Sequence, residues 1–218
     1  MSSLNPLNRV LAKRSDLHIL RKVWHMGVGS LCLFIYYQSG QSAMTWGWAI
    51  LAVAVTGFTV DIVRARWSPF NEVVISLMGP FMRASEKDGF TGMPFYALGV
   101  SLALLLFPEK IALLATMFLV FSDPICSFFG IIYGKDKIMP NKSLQGAMAG
   151  FFTCYLITLF YGLYYQASGI NLLIFAVVGG LVGAIAEMLS AFNIDDNLTI
   201  PVVSGLGLTV LNYVLKVF

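Results

Sequence analysis

The sequence predicts an all-α, polytopic membrane protein of about seven transmembrane helices with one further amphipathic helix on the membrane surface. Three observations carry that expectation. First, 58% of the 218 residues are hydrophobic and only 11% are charged, where a soluble domain carries about 25% charged residues. A soluble core of this size cannot hide so much apolar surface, whereas a bilayer can. Second, the apolar residues fall into seven runs near the length of one span, about 20 residues. Third, 12 of the 14 Lys and Arg fall on one side of a seven-span arrangement. Composition of this kind excludes a disordered chain, a nucleic-acid-binding module and most soluble enzymes. The three cysteines, Cys32, Cys126 and Cys154, lie in apolar runs, form no CxxC and are odd in number. They read as small buried hydrophobes rather than a disulfide framework.

Residues 1–22 form a basic segment, with Arg9, Lys13, Arg14, Arg21 and Lys22. Leu4, Leu7, Leu11 and Leu17 sit loosely at helical spacing, which suits an interfacial helix. The rest, 23–218, reads as one transmembrane catalytic domain. Its apolar runs are Val23–Tyr37, Met44–Val63, Phe95–Phe107, Ile111–Tyr133, Leu144–Tyr165, Asn171–Ala191 and Pro201–Val217. A signal peptide competes for the first run, but the preceding basic region is too long for one. Phe95–Phe107 is short and is expected to borrow Gly92–Pro94. Between the second and third runs, Phe70, Val73, Val74, Leu77, Met78 and Phe81 recur at helical spacing. Ser68 followed by Pro69 looks like an N-cap before a proline at the first helical position, so a surface helix is expected over 69–82. The distribution of basic residues places the N-terminus in the cytoplasm and the C-terminus outside.

The polar residues gather on the cytoplasmic side in four places. Arg21-Lys22-Val23-Trp24-His25 stands at the mouth of the first span, and the four-residue spacing puts Arg21 and His25 on one helix face. Asp123 lies inside an apolar run, where an ionisable group is costly and is a functional candidate by default. Ser122-Asp123-Pro124 also reads as a helix restart. Asp123 is ten residues from Tyr133, about 15 Å on helical rise, so a site using it must be a funnel open to the cytoplasm. Third, Gly130 and Gly134 allow close backbone approach, Lys135, Lys137 and Lys142 supply positive charge, and Ser143 can cap the next helix. That combination suits a phosphate site, although it also satisfies an ordinary basic loop with Gly130/Gly134 and Gly146/Gly150 as helix contacts. The GxxxxGK[ST] spacing of a Walker A loop is absent. Fourth, Glu187 sits near the end of the sixth span, before Asp195-Asp196-Asn197. Carboxylates with substrate phosphates are the usual means of holding Mg²⁺. Phosphate-binding cations, carboxylates and an apolar surround on one face are the inventory for phosphoryl or nucleotidyl transfer to a lipid, and the residues alone leave both open.

In combination, Arg21-Lys22-x-x-His25, Asp123-Pro124-x-x-Ser127-x-x-Gly130-x-x-x-Gly134-Lys135, Lys142-Ser143-x-x-Gly146 and Glu187…Asp196-Asn197-x-x-x-Pro201 resemble the CTP-dependent lipid kinase family. That family includes dolichol kinase, phytol kinase and the yeast-type diacylglycerol kinase, and it is related to phosphatidate cytidylyltransferase. The resemblance runs from Arg21 to about Ser204. It implies transfer of the γ-phosphate of CTP to the hydroxyl of a membrane lipid alcohol (diacylglycerol, polyprenol or phytol) with Mg²⁺ or another divalent cation. It also implies a multi-pass protein of the bacterial inner membrane or the endoplasmic reticulum. Asp123, Glu187 and Asp196 are then the expected metal ligands, Asp196 being preferred to Asp195 on the resemblance. Arg21, Lys22, Gly130, Gly134, Lys135, Lys137, Lys142, Ser143 and Asn197 are the expected nucleotide-binding residues. His25 is the candidate base for the acceptor hydroxyl, with Asp61 as rival. Gln145 stands where the family more often shows Glu, and Cys126 where it shows Ala. The Ser-Pro-Lys-Lys-Thr type signature of the cytidylyltransferases is missing at Pro140-Asn141-Lys142-Ser143. Two other activities remain open at this point, a phosphatidate cytidylyltransferase and a non-enzymatic transporter. The one-sided distribution of polar groups argues against alternating access.

Overall fold

The computed structural model describes residues 17–192 and 194–218. The expected interfacial helix of the N-terminal segment, with Arg9, Lys13 and Arg14, lies outside the described residues. Helices form at each of the seven apolar runs: α1 (Ile19–Ser39), α2 (Ala43–Arg66), α4 (Gly92–Leu106), α5 with α6 (Glu109–Met117 and Asp123–Ile132), α7 (Leu144–Tyr164), α8 (Gly169–Met188) and α9 (Asp196–Leu215). Between α2 and α4 lies α3 (Ser68–Met78). Long apolar runs admit little else, because a helix satisfies every backbone N–H and C=O within the segment. Five of these helices are long and apolar enough to cross a membrane: α2, the continuous Glu109–Ile132, α7, α8 and α9. Helix α4 starts at Gly92, as the short third run requires, and has 15 residues. Helix α1 has 21 residues, with Arg21, Lys22 and His25 in its first two turns.

The surface helix differs from expectation at both ends. Trp67, in extended conformation, is both the C-cap of α2 and the N-cap of α3. Ser68 is therefore already helical, and a single residue turns the chain between the two helices. At the far end Pro80 cannot continue an α-helix, and the chain tightens into a 3₁₀ turn over Gly79–Phe81.

Glu109–Ile132 is the central helix, with α4, α7 and α9 around it. Ile111, Leu114, Ala115, Phe118 and Leu119 are fully buried and meet Cys154 of α7, Phe175 of α8 and Leu208 of α9. Outward, Leu31, Trp48, Val55, Phe160, Leu181 and Val210 remain exposed on the spans, as residues facing lipid do. Helix α1 meets its neighbours mainly through the turn at Gly79–Phe81 and the middle of the central helix. It stands off from α2 and α4, and the gap becomes a cavity.

One element has no counterpart in the sequence reading. Lys137–Met139 (β1) and Lys142–Ser143 (β2) pair antiparallel. Pro140 and Asn141, the latter at φ +64°, make the turn between them, the proline-then-asparagine preference of a type II turn.

Candidate active site

The central helix carries a π turn at Phe118–Ser122, directly before Asp123 and Pro124. Pro124 has no N–H to offer the carbonyl one π turn back, that of Leu119. That carbonyl instead accepts from His25 Nε2 of α1, at 3.0 Å. A proline on one helix thus fixes a histidine on another. The same contact sets the tautomer, since a carbonyl only accepts: Nε2 carries the proton and Nδ1 is the basic nitrogen. His25 Nε2 also lies 4.0 Å from Asp123 Oδ2, and its ring meets Tyr96 edge-on at 4.6 Å.

Asp123 opens into a polar cavity of about 290 Å³. The expected motifs converge on it: Ser127, Gly130 and Gly134 from the α6 side, Lys137, Lys142, Ser143 and Gly146 from the hairpin and α7, Glu187 from α8 and Asp196 from α9. The cavity runs from the hairpin down to Asp123, the funnel that the depth of Asp123 demands. Two glycines permit this closeness. A Cβ on Gly134 would strike the Gly130 carbonyl oxygen and stand 2.6 Å from Ser143 Oγ. One on Gly146 would lie 3.0 Å from the Cys126 carbonyl oxygen. Ser143 caps α7 by accepting from the Gly146 N–H at 3.3 Å, which aims the helix N-terminus at the cavity. Gln145 accepts from the N–H groups of Lys135 and Asp136, at 3.2 and 3.3 Å, and its amide donates to Asp136 Oδ2 at 2.6 Å. A glutamate could not make that last bond, so the amide serves as a loop clasp.

Charge in the cavity is partly committed. Lys142 Nζ is ion-paired to Glu187 Oε1. Burial opposes its charge, but Glu187, Asp196 and Asp123 hold its pKa above the ordinary lysine value. Arg83, likewise desolvated, is raised by Asp196, Asp123, Glu86 and Asp195. Asp195 caps α9 by accepting from the Asn197 N–H at 3.0 Å. Burial first and Asp196 second push its carboxyl up to about 6. Asp123, Glu187 and Asp196 do not come together as a three-carboxylate centre: among the described residues no three His, Cys, Asp or Glu side chains are placed to hold one ion. Glu187 is turned to Lys142 instead. Asp123 and Asp196 remain in the same cavity, and one or two carboxylates with phosphate oxygens are the ordinary coordination of Mg²⁺.

Several expected nucleotide-binding residues lie elsewhere. Lys135 is exposed and outside the cavity lining. Lys22 Nζ donates to the Leu17 carbonyl at 2.8 Å. Arg21 binds the Phe81 carbonyl at 3.0 Å and pairs with Glu86 at 2.9 Å. Arg21, Asn197 and His25 line a second cavity, of about 750 Å³, enclosed by α1, α2, α3 and α4. Its walls are apolar, with Val28, Leu33, Val53, Val74, Met78 and Leu104 among them. Helix α3 therefore roofs this cavity with part of its apolar face. Tyr96 Oη is buried beside it with no hydrogen-bond partner among the described residues. Asp61, the rival base, has both oxygens occupied: Oδ1 by Arg64 Nε at 2.6 Å, Oδ2 by the N–H and hydroxyl of Thr91 at 2.8 and 2.9 Å. Both oxygens are thus engaged in holding Arg64 and Thr91. Arg83 was not anticipated as a site residue. In sequence it is one more cation in a basic loop, and nothing local marks it.

Residues 10–191 match the cytidylyltransferase family. The chain is 34% identical over 204 residues to the CTP-dependent diacylglycerol kinase 1 of Schizosaccharomyces pombe, covering 86% of this chain and 90% of that protein. It is 31% identical over 222 residues to the protein of the same name in Saccharomyces cerevisiae, covering 92% and 74%. An uncharacterized protein of Rickettsia prowazekii is 29% identical over 207 residues, covering 92% and 97%. No solved structure matches.

Proposed function

The chain belongs to the cytidylyltransferase family and is a CTP-dependent lipid kinase, and we propose that its acceptor is diacylglycerol, phosphorylated at the cytoplasmic face of the membrane. One observation carries the mechanism: a polar cavity and a large apolar cavity meet at the His25–Asp123 contact, His25 lining one and Asp123 the other. Phosphoryl transfer to a lipid needs a place where a nucleotide phosphate and an acyl-bearing alcohol touch. In this reading the CTP phosphates occupy the polar cavity against Lys142, Lys137 and the N-terminus of α7. The acyl chains lie between α1, α2 and α4, and the unpartnered Tyr96 hydroxyl is available to the glycerol oxygens. The choice of diacylglycerol over a polyprenol or phytol rests on the named relatives. Asp123 and Asp196 are the residues that would hold a divalent cation, which when bound would neutralise phosphate charge. His25 Nδ1 is the atom left to receive the proton of the acceptor hydroxyl.

The direct test is purified protein given CTP with diacylglycerol, a polyprenol or phytol in turn. Phosphatidate and CDP are the expected products, and preference for another alcohol would overturn the acceptor. The family's name favours one other reading, cytidylyl transfer to phosphatidate, which releases pyrophosphate instead of CDP. The cytoplasmic face is inferred from the asymmetry of basic residues and from the presence of CTP there. Reporter tags at the two termini are accordingly expected on opposite sides of the membrane; tags on the same side would refute an odd number of spans.

Removing Lys142 tests the phosphate site. Lys142→Ala deletes a charge-assisted contact worth about 1.5–3 kcal/mol, so KM for CTP should rise by about 10- to 100-fold. Lys135→Ala, outside the cavity, should leave it unchanged. If both variants matched the wild type, the phosphates would have to bind elsewhere. For His25, Ala and Gln variants should bind CTP normally and lose at least about tenfold in turnover, the modest effect expected where transfer depends mainly on positioning. Full turnover in both would remove His25 from the reaction.

A further inference from the structure

The chain between α3 and α4, Gly79 to Thr91, is the partition between the two cavities. Its side chains divide accordingly. Phe81, Met82 and Glu86 line the apolar cavity, while Arg83 lines the polar one. The partition is gripped from both flanks. Arg64 donates to the carbonyls of Glu86 and Lys87, at 2.8 and 3.0 Å, and to that of Gly89. Arg21 holds the Phe81 carbonyl and the Glu86 carboxylate. Glu86 in turn accepts from the Arg83 backbone N–H at 3.1 Å, which fixes the position of residue 83. Met82 is buried immediately before it, 3% exposed.

Among the described residues the Arg83 guanidinium has no such commitment and is in no ion pair, whereas Lys142 is paired with Glu187 and Arg21 with Glu86. Lys137, the other cation of the cavity lining, is exposed on the hairpin. A rigidly mounted arginine with its donor fork open to a polar cavity, beside the wall of a lipid cavity, has the geometry of a clamp on a transferring phosphoryl group. The neighbouring carboxylates Asp196, Asp123, Glu86 and Asp195 account for its charge.

We propose that Arg83 is a catalytic residue that binds the γ-phosphate of CTP at the junction of the two cavities and stabilises the phosphoryl group in transit. The proposal rests on the kinase reading above. The lipid hydroxyl oxygen forms a bond to the γ-phosphorus. The bond from that phosphorus to the β,γ-bridging oxygen breaks, and its electron pair leaves on CDP. The hydroxyl proton passes to His25. Arg83 gains and loses no proton; it acts through charge and hydrogen bonds that strengthen as the γ-phosphate moves toward the acceptor.

The test compares wild type with Arg83→Ala, Arg83→Gln and Arg83→Lys, reading turnover and the binding of CTP and CDP separately. Turnover should fall by about 100-fold or more in the Ala and Gln variants, and less in the Lys variant, which keeps the charge without the fork. Affinity for CTP should fall while that for CDP, which lacks the γ-phosphate, stays unchanged. Added guanidinium should restore part of the turnover of Arg83→Ala. Near-wild-type turnover, or equal losses in CTP and CDP binding, would make Arg83 a partition residue only. Should the Ala variant fail to fold, the Gln and Lys variants decide. If the wild-type product were pyrophosphate rather than CDP, the kinase reading would fail, and CTP-over-CDP discrimination would still report whether Arg83 touches the γ-phosphate.

Discussion

Asp123→Asn is expected to lower turnover by about 10²–10⁴-fold while the helical fold stays intact. The substitution keeps the size of the side chain and one acceptor oxygen, and replaces the charge and the other oxygen with a neutral NH2. In the folded protein that charge stands at the first turn of α6, 4.0 Å from His25 Nε2 and within the field of Asp196, Lys142 and Arg83. Two tasks would be lost together: orienting the imidazole that receives the acceptor proton, and sharing a divalent cation with Asp196. They separate experimentally. A lost ligand shows as a higher requirement for added Mg²⁺, whereas a lost partner for His25 shows as an altered pH–rate profile at saturating Mg²⁺. Stability should move the other way from activity. Asp123 and Asp196 are like charges in one desolvated cavity, so neutralising one relieves repulsion. Thermal unfolding of the Asn variant in detergent should occur at or above the wild-type temperature. Near-normal turnover with unchanged metal dependence would remove Asp123 from the centre of the mechanism.

The parts of this site that were legible in the sequence share one property, a residue in conflict with its surroundings. Asp123 and Glu187 are carboxylates in apolar runs, and burial there is costly without a partner. Gly130, Gly134 and Gly146 flank lysines at the ends of such runs. The helices at the seven apolar runs were legible because long apolar runs have few ways to satisfy their backbone. What could not be read depends on rotation and register. Asp196 and Asn197 are adjacent, but consecutive helical residues point about 100° apart; Asp196 meets the polar cavity and Asn197 the apolar one. Arg21 and His25, four residues apart, do share a face. They went together to the apolar cavity, which carried Arg21 away from the polar one. The hairpin at Lys137–Ser143 has strands too short to alternate visibly. The π turn depends on which carbonyl faces Pro124, and nothing in the residue types announces it. Arg83 needed the partition to be seen before its place at the polar cavity meant anything.

The largest loss of stability is expected at Arg64, far from any reacting atom. Arg64 is 1% exposed and heads the fully buried side chains by size. Its Nε meets Asp61 at 2.6 Å, its Nη1 meets Asn71 Oδ1 and the Lys87 carbonyl, both at 3.0 Å, and its Nη2 meets the carbonyls of Glu86 and Gly89. Arg64→Ala strands the Asp61 carboxylate and several carbonyls in a site that water does not reach, and breaking a buried pair from one side costs about 3–5 kcal/mol. Arg64→Lys keeps the charge but cannot span the same acceptors with one ammonium, so its loss should be intermediate. Asp61→Asn keeps the acceptor for Thr91 but sets an amide NH2 against Arg64 Nε–H; Arg64 retains its other acceptors, so the loss should stay below that of Arg64→Ala. Thermal unfolding in detergent ranks the three. The consequence for catalysis follows from the partition: with Arg64 gone, Gly79–Thr91 is released on one flank and Arg83 loses its mounting. Turnover should therefore fall in Arg64→Ala together with a new sensitivity of that segment to limited proteolysis. The same series decides the role of Asp61. A base would lose turnover and pH dependence at unchanged stability, whereas a structural acceptor loses stability and keeps the wild-type pH profile. We expect the second pattern, and an Arg64→Ala protein that unfolded at the wild-type temperature with a protease-resistant partition would contradict the whole account of how the wall between the cavities is held.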